Sequence, residues 1–154
     1  VTPDPIFKSI SYEGVPDIRI IVLMGYPVMA MLRLPTRQSG GKANLHQGAI
    51  GVGVDLATGI TLHGTWMNDT IHKHPDTENA VAGYIGVDMV LDQERGPLIL
   101  ELNARPGLNI QIANDAGLAY RAQRIEEHIA SLSETEDPQL RVALAQQLFS
   151  TTTS

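Results

Sequence analysis

The stretch GPLILELNARPGL, residues 96–108, combines the pattern of a short buried strand with two polar side chains at its end. Its leucines alternate with Ile99, Glu101 and Asn103, and Arg-Pro-Gly follows. Because side chains alternate between the two faces of a strand, Glu101 and Asn103 share one face. A strand that only filled a core would not need a carboxylate and a carboxamide there, so the pattern indicates a site that uses both.

A second predicted strand, GYIGVDMVL, comes just upstream, and the polar tip DQERG separates the two. This arrangement predicts a β-hairpin. We expect Leu91 to pair with Leu98, which leaves residues 92–97 as the loop. In that register Asp88 lies directly across from Glu101, on the face that also carries the carboxamide.

These oxygen ligands predict a metal site. Two carboxylates directly opposite each other destabilise a sheet. A hard cation such as Mg²⁺ or Mn²⁺ offsets that repulsion, because it prefers carboxylate and carbonyl oxygens. Asp88, Glu101 and Asn103 are the expected ligands. The alternative is structural: one carboxylate is exposed or protonated, and Asn103 only caps the turn before Pro106.

Two arginines lie in the first predicted hairpin, whose strands are DIRIIVLM and VMAMLRLP. Pro27 cannot donate a ladder hydrogen bond, so we expect a three-residue turn at residues 25–27. Arg19 then faces Arg33 across the hairpin, whereas a two-residue turn would put them on opposite faces.

Guanidinium groups that face each other need a counter-charge such as phosphate or carboxylate. The hairpin therefore predicts an anion site at Arg19 and Arg33, with Asp17 on the same face able to hold Arg19 in place. The alternative is two solvated arginines on an open sheet face, or a local ion pair between Asp17 and Arg19.

The segment SGGKANLHQG, residues 39–48, offers backbone N–H groups together with Lys42 and Asn44. It is not a Walker A loop, since Thr36 stands where the first glycine belongs and Ala43 follows the lysine. The alternative is an ordinary flexible loop.

Other catalytic patterns are weak or missing. His72 and His74 lie two residues apart, but no third ligand has a persuasive spacing, so zinc is a minor possibility. The sequence contains no G-x-S-x-G pattern and no visible Ser-His-Asp arrangement.

The rest of the chain predicts strands, turns and helices. A short strand is expected near residues 50–56, a turn with Gly59 at its tip follows, and residues 60–83 show no regular pattern. From Asp115 the apolar spacing becomes helical, and Asp137 followed by proline predicts the start of a last helix. The apolar side of the first helix is Leu118, Ala122, Ile125, Ile129 and Leu132, with Arg, Gln and Glu opposite.

The chain has 154 residues, a formal net charge of −6 and no cysteine. An acidic chain lacks the basic stripe that binds nucleic acid, and no apolar run reaches the roughly 18 residues of a membrane span. The lack of cysteine fits a reducing compartment, so we expect a cytoplasmic protein without nucleic-acid or membrane partners. Because the first residue is Val rather than Met, we expect a fragment of a longer protein. The sequence does not indicate an oligomeric state.

Four segments resemble the C-terminal half of an ATP-grasp carboxylate–amine ligase: PDIRIIVLMGYPVMAMLRLP, GKANLHQGA, GYIGVDMVL and above all ILELNARPGL. The chain is most similar to the alpha-L-glutamate ligase-like proteins, which are related to the ligase that adds glutamates to a ribosomal protein. The resemblance covers nearly all of residues 3–125. It implies an α+β fold, the ATP-grasp C-terminal lobe, with an antiparallel sheet and flanking helices.

The resemblance also implies an activity and its ligands. ATP phosphorylates a small-molecule or peptide carboxylate, and an amino-acid amine then displaces phosphate from the acyl phosphate to give an amide. Mg²⁺ (or Mn²⁺) bridges the ATP phosphates, with Asp88, Glu101 and Asn103 at the positions of its ligands. The family's adenine pocket and phosphate-contacting lysines lie upstream of the matched region.

Four further residues match by position. Arg19 and Arg33 correspond to catalytic arginines, of which Arg33 lies near the acyl phosphate in relatives. Lys42 and Asn44 correspond to the substrate- or phosphate-binding part of the family's mobile loop. We therefore divide the chain into a metal- and phosphate-binding region, residues 1–135, and a C-terminal helix and tail, residues 136–154.

One departure from the family concerns the segment HPDTENAVAGYIGVD. Relatives carry a helix of several turns before the GVD strand, and this segment leaves no room for one, so we expect residues to be absent between His74 and Val81 or the helix to be deleted. The alternatives to a ligase are a non-catalytic ATP-grasp module that binds Mg-nucleotide or a partner, and a plain α+β interaction domain.

Overall fold

The computed structural model describes residues 7, 10–79, 90–92, 96–98 and 109–151, and side chains within 7, 10–79 and 109–151. The fold is α+β, as the sequence predicts, with an antiparallel sheet and helices packed on it. The strands are β1 (Asp17–Leu23), β2 (Tyr26–Leu34), β3 (Ile50–Val54), β4 (Thr61–Trp66), β5 (Asp69–Ile71), β6 (Val90–Asp92) and β7 (Gly96–Leu98). The helices are α1 (Ile110–Asn114), α2 (Leu118–Ser131) and α3 (Pro138–Phe149), and a 3₁₀ turn covers Leu45–Gln47.

Strands β1 to β5 form one sheet in chain order, each antiparallel to the next, while β6 and β7 pair with each other. Strand β2 carries apolar side chains on both faces, and most of them are buried. One face packs against the helices through Met29, Met31 and their neighbours. The other face carries Leu32 and Leu34 and is covered in part by Phe7. The sheet is therefore the shared wall of two apolar cores.

The prediction that residues 60–83 are irregular is wrong, because β4 and β5 lie within them. They are joined by a tight turn at Met67 and Asn68, whose φ angles are 51° and 75°. Two positive φ angles are typical of two-residue hairpin turns, but methionine rarely occupies such a position. Gly64 also interrupts the strand pattern. The local sequence consequently carries no ordinary hairpin signal.

The predicted three-residue turn of the first hairpin is also wrong. The turn is Met24–Gly25, with φ angles of 51° and 88°, and Pro27 belongs to β2. Ile21 pairs with Met29, whereas the next residue of β1 pairs with Pro27, so β2 contains one extra residue, Val28. This is a β-bulge, and proline is tolerated beside a bulge because ladder hydrogen bonding is already interrupted there.

The second hairpin forms in a register that differs by one residue from the predicted one. Leu91 pairs with Pro97 rather than with Leu98, and β6 ends at Asp92 while β7 begins at Gly96. The shorter loop follows the general preference of hairpins for tight connections. The facing pair of Asp88 and Glu101 that the predicted register implied lies outside the described residues and stays a prediction.

The last two helices begin close to where the sequence places them. Asp137 caps α3, since its carboxylate accepts a hydrogen bond from the Gln139 N–H at 2.8 Å. Ile125 of α2 is fully buried, as expected, but Arg121 was expected on the polar side and is buried as well. The short helix α1 was not predicted. Within the part of the chain that the structure describes, no helix combines the length and apolarity needed to cross a bilayer.

Helix α1 lies directly against the sheet because Gly53 has no side chain. A Cβ added at Gly53 would lie 2.0 Å from the carbonyl oxygen of Ala113 in α1. Asn114 completes the contact, since its Nδ2 donates to the carbonyls of Ala30 and Ile110, each at 2.9 Å. This contact positions the chain immediately after the ELNARPGL motif on the helix-facing side of the sheet.

A buried carboxylate, Asp55, ties the turn after β3 to the end of α3. Its Oδ1 accepts hydrogen bonds from Ala57 and Thr58, and its Oδ2 accepts from the backbone and hydroxyl of Thr151. Burial by itself would raise the pKa of Asp55, but the hydrogen bonds from Thr151 and Thr58 outweigh it and lower the pKa from 3.8 to about 2.

We expect Asp55→Asn to remove a pH-dependent part of the stability. Because folding lowers the pKa of this carboxyl, its contribution is fully present above pH 3.8 and is lost as the pH falls towards 2. The shift corresponds to about 2 kcal/mol at neutral pH. Urea unfolding at several pH values should show a gap between wild type and Asp55→Asn that closes between pH 4 and 2. The exposed Asp69→Asn is the control, and a gap independent of pH would contradict the assignment.

Candidate functional site

A cleft of about 810 Å³ lies on the helix-facing side of the first hairpin, between β1–β2, the glycine-rich loop and the start of α1. Arg19, Arg33, Lys42 and Asn44, which the sequence singles out from two separate segments, all line it. The remaining lining residues are Gly14, Val15, Asp17, Met31, Gly41, Ala43, Leu45, His46 and Asn109. The fold thus brings the predicted anion-binding residues of the hairpin and the loop into one cavity.

Arg33 is held in place by Asp17, its direct partner across the hairpin. Nε donates to Oδ1 and Nη2 donates to Oδ2, both at 2.5 Å, and both side chains are more than four-fifths buried. This two-point contact uses one edge of a guanidinium that has five N–H donors. Asp17 therefore fixes the plane of the Arg33 side chain at the wall of the cleft.

The prediction that Arg19 and Arg33 face each other across the hairpin is wrong in its register. Arg19 lies opposite Met31, not opposite Arg33, and Asp17 pairs with Arg33 rather than with Arg19. The two arginines nevertheless line the same cleft. A two-residue turn alone would separate them onto opposite faces, and the extra residue Val28 reverses that separation.

The glycine-rich loop is an ordered structure held by its own polar groups. Thr36 and Ser39 are buried and bond each other in both directions, and the Thr36 hydroxyl donates to the Gly48 carbonyl at 2.8 Å. The Asn44 carboxamide accepts from the His46 N–H at 3.1 Å and caps the 3₁₀ turn. Lys42 is exposed at the rim of the cleft. The loop therefore presents its lysine from a defined backbone.

Two neighbouring segments anchor the base of this loop. The Pro35 carbonyl accepts from the Tyr12 N–H at 3.1 Å and contacts Nε2 of His74 at 2.9 Å. The Arg37 N–H donates to the Asp76 carboxylate at 2.7 Å. Both ring nitrogens of the fully buried His74 are engaged, because Nδ1 accepts from the Asp76 N–H at 3.2 Å. His74 is thus structural, which argues against the minor zinc possibility.

The rim of the cleft depends on a close contact between Gly14 and Gly41. A Cβ added at Gly14 would lie 1.8 Å from the Gly41 carbonyl oxygen, whereas one added at Gly40 would meet nothing within 4 Å. The φ angles of Gly14 and Gly40 are similar, +65° and +61°. Alanine costs roughly 1–2 kcal/mol at either position because of this backbone conformation.

We expect Gly14→Ala to be clearly worse than Gly40→Ala. The extra methyl group forces the loop away from residue 14, which should add on the order of 1–3 kcal/mol of destabilisation and displace Lys42. Chemical denaturation measures the first effect, and amide chemical shifts of residues 36–47 measure the second. Equal losses of stability with unchanged loop shifts in both variants would contradict the contact.

Charge in the cleft favours an anion. Among the described lining residues, three side chains are cationic, Arg19, Arg33 and Lys42, and Asp17 supplies the only carboxylate. Arg33 shares its charge with Asp17, and the formal charges of the described lining side chains, three positive and one negative, sum to +2. Arginine forks and lysine ammonium groups are common ligands of phosphate oxygens. The described part of the cleft therefore suits a phosphate chain.

The predicted metal ligands Asp88, Glu101 and Asn103 lie outside the described residues. Two carboxylates and a carboxamide form the all-oxygen donor set that Mg²⁺ accepts. Within the described ranges no group of three or more His, Cys, Asp or Glu side chains could hold a metal ion. The metal assignment thus stays a prediction that rests on donor chemistry.

Sequence analysis missed the residues that continue the cleft towards α1. His46 and Asn109 line it, and they also line a smaller cavity of about 130 Å³ beside Thr65 and Asn68. Asn109 directly follows the motif of residues 96–108, and His46 lies within the loop that carries Lys42. Proximity to these motifs was the available signal, but residue type alone does not distinguish a lining side chain from a solvated one.

Sequence comparison agrees with this geometry. A family described as sugar-transfer associated ATP-grasp matches the chain in two segments, residues 1–84 and 79–127. The chain belongs to the sugar-transfer associated ATP-grasp family. The two matched segments of this ATP-grasp family overlap at residues 79–84, beside the place where a helix is expected before the GVD strand. Residues 80–89 lie outside the described residues, so the predicted gap between His74 and Val81 stays a prediction.

One relative of this ATP-grasp protein is a curated sequence from Sodalis glossinidius (strain morsitans), named "Probable alpha-L-glutamate ligase". The two are 32% identical over 113 residues, which is 73% of this chain and 34% of the relative. The chain thus spans about a third of the relative's length. No solved structure matches the chain significantly.

Proposed function

We propose that the protein is an ATP-dependent carboxylate–amine ligase of the glutamate ligase-like kind, acting through an acyl phosphate as part of a longer chain. The observation that carries the proposal is the convergence of Arg19, Arg33, Lys42 and Asn44 on one cleft. Membership of an ATP-grasp family and similarity to a probable glutamate ligase support it. The substrates are a small-molecule or peptide carboxylate and an amino-acid amine.

The chemistry of such a ligase has two steps. A carboxylate oxygen of the substrate attacks the γ-phosphorus of ATP, the bond to the bridging oxygen breaks, and ADP leaves. The amine nitrogen then attacks the acyl carbon, the C–O bond to phosphate breaks, and the amine loses a proton to water. Both steps need positioning and neutralisation of negative charge more than a nucleophilic side chain, which fits a site built from arginines, a lysine and carboxamides.

The chain's own residues have distinct proposed roles. Arg33, oriented by Asp17, stabilises the transferring phosphoryl group, and Arg19 binds the same anion from the adjacent position on β1. Lys42 reaches phosphate oxygens from the loop that Asn44 caps. Asp88, Glu101 and Asn103 would hold Mg²⁺, which neutralises phosphate charge when bound. In this proposal residues 1–135 carry the site and residues 136–154 form a C-terminal helix and tail.

The test is a trapping experiment with the full-length protein. We expect ADP release from ATP and Mg²⁺ to depend on an added carboxylate, screened from amino acids, glutamyl peptides and sugar acids. Hydroxylamine in place of the amine should then give a hydroxamate, the product of an acyl phosphate. Tight nucleotide binding without ADP release across the panel would contradict the ligase and would favour the non-catalytic nucleotide-binding module.

A further inference from the structure

The bulge in β2 has a buried partner outside the sheet. Val28, the extra residue, has no register partner in β1 and is fully buried. A bulge leaves the extra residue unpaired in the ladder, and a buried carbonyl without a partner is costly. Nη1 of Arg121, from α2, donates to the Val28 carbonyl oxygen at 2.5 Å. The hydrogen bond that the ladder does not supply is thus supplied by a helix.

Arg121 is itself an unusual residue for this position. The residue is only 5% exposed, and its guanidinium lies 5.0 Å from the ring centroid of Phe149 in α3. Burying a cation is expensive unless hydrogen bonds and nearby groups compensate. An apolar residue would fill the same core at lower cost. The negative charge of Asp55 favours the charged guanidinium, and the hydrogen bond that the guanidinium donates to the Val28 carbonyl gives it a specific role at the bulge.

The bulge decides which side chains reach the cleft. With the Met24–Gly25 turn and no bulge, an ordinary ladder would place Leu32 opposite Asp17 and turn Arg33 to the other face. With Val28 inserted, Asp17 pairs with Arg33 and Arg19 pairs with Met31, and all four line the cleft. The extra residue Val28, which lies 93 residues from Arg121 in sequence, therefore determines which side chains of the hairpin line the site.

We propose that Arg121 is a positioning residue for the phosphate-binding cleft: it stabilises the Val28 bulge and thereby holds Arg33 and Arg19 on the same face of the hairpin. The inference rests on the proposed function only where it concerns phosphate. The register effect stands independently of it, which allows the two to be tested separately.

The experiment compares Arg121→Met with Arg124→Met, an exposed arginine on the same helix. Two quantities are measured in each protein: the hairpin register, from cross-strand NMR contacts of Ile20 with Ala30, and the affinity for inorganic tripolyphosphate. We expect Arg121→Met to lose the Ile20–Ala30 contacts and roughly tenfold or more in affinity, on the scale of one charge-assisted hydrogen bond. Arg124→Met should change neither, and Arg121→Lys should recover only part because it lacks the planar fork.

Deletion of Val28 provides a second, independent arm. Without the extra residue, a regular ladder from the Met24–Gly25 turn already places Asp17 opposite Arg33, so the register no longer depends on Arg121. In the deletion background, Arg121→Met should leave the tripolyphosphate affinity unchanged. This arm also decides the case in which Arg121→Met alone does not fold, because the double variant should then fold.

The outcomes separate the two claims. A folded Arg121→Met with native register and native affinity overturns the positioning role. An equal loss of tripolyphosphate affinity on Arg121→Met with and without Val28 overturns it as well. A shifted register in a protein whose wild type does not bind tripolyphosphate contradicts the proposed function but supports the role of Arg121. If Arg121 were merely structural, Arg121→Met would lower the stability of the protein both with and without Val28. It would not change the tripolyphosphate affinity of the folded protein.

Discussion

If the full-length protein is the proposed ligase, Arg33→Ala should lower its kcat by roughly a hundredfold, with a smaller effect on KM for ATP. The reason is that Arg33 is proposed to bind the phosphoryl group most strongly in the transition state, and removal of one such donor costs on the order of 3 kcal/mol. An interaction made mainly in the transition state appears in kcat rather than in KM. Steady-state kinetics with the carboxylate identified by the trapping experiment provides the measurement.

Companion variants make this prediction specific. Arg33→Lys should recover only part of the rate, because an ammonium group cannot reproduce the guanidinium fork. Asp17→Asn should cause a smaller loss, since Arg33 remains but its two-point ion pair is weakened. Arg124→Ala, on the exposed side of α2, is the matched control. A normal kcat with weakened ATP affinity would make Arg33 a ground-state nucleotide contact instead.

Glu101→Gln should abolish Mg²⁺-dependent turnover while leaving the fold intact. Glutamine has nearly the same shape as glutamate but removes the negative charge that a hard cation requires. Asp88→Asn should act in the same direction if both carboxylates hold the same ion. Turnover assays at several Mg²⁺ concentrations provide the measurement, and circular dichroism checks the fold.

The control for this prediction is Glu127→Gln, an exposed glutamate on α2. An unaffected rate in Glu101→Gln would refute the metal assignment. A structure in which Asp88 and Glu101 point to opposite faces of the second hairpin would refute it as well. The observed pairing of Leu91 with Pro97 makes this a sharp test. An unchanged continuation of that register would put positions 88 and 101 on opposite faces. A shared face for the two carboxylates therefore requires an irregularity comparable to the bulge in the first hairpin.

The two hairpins mark the limit of what local sequence predicts. Both were expected at the right place, since alternation and turn composition are local properties. Both registers were wrong by small shifts, because register depends on the turn type and, in the first hairpin, on a bulge. In the first hairpin the partner of the bulge is Arg121, a residue that helical spacing alone had assigned to the solvent side.

In the site, too, local sequence predicted some features and the fold decided others. Its cationic residues were predicted from sequence because arginines on a strand face and a lysine in a glycine-rich loop are chemically conspicuous. Their convergence on one cleft, and the choice of Arg33 rather than Arg19 as the partner of Asp17, follow from the fold. His46 and Asn109 were missed because a neutral polar residue becomes a lining residue only through its neighbours in space.

The sequence by itself determined the α+β class, the cap of α3, the two hairpins and the cationic side chains of the site, all of which depend on periodicity, capping and residue chemistry within a few positions. Only the tertiary structure decided which of those side chains share a face. The physical reason is that a β-strand exposes alternate residues, so a single inserted residue exchanges its faces. The carbonyl freed at that residue is satisfied by a guanidinium from a helix far along the chain.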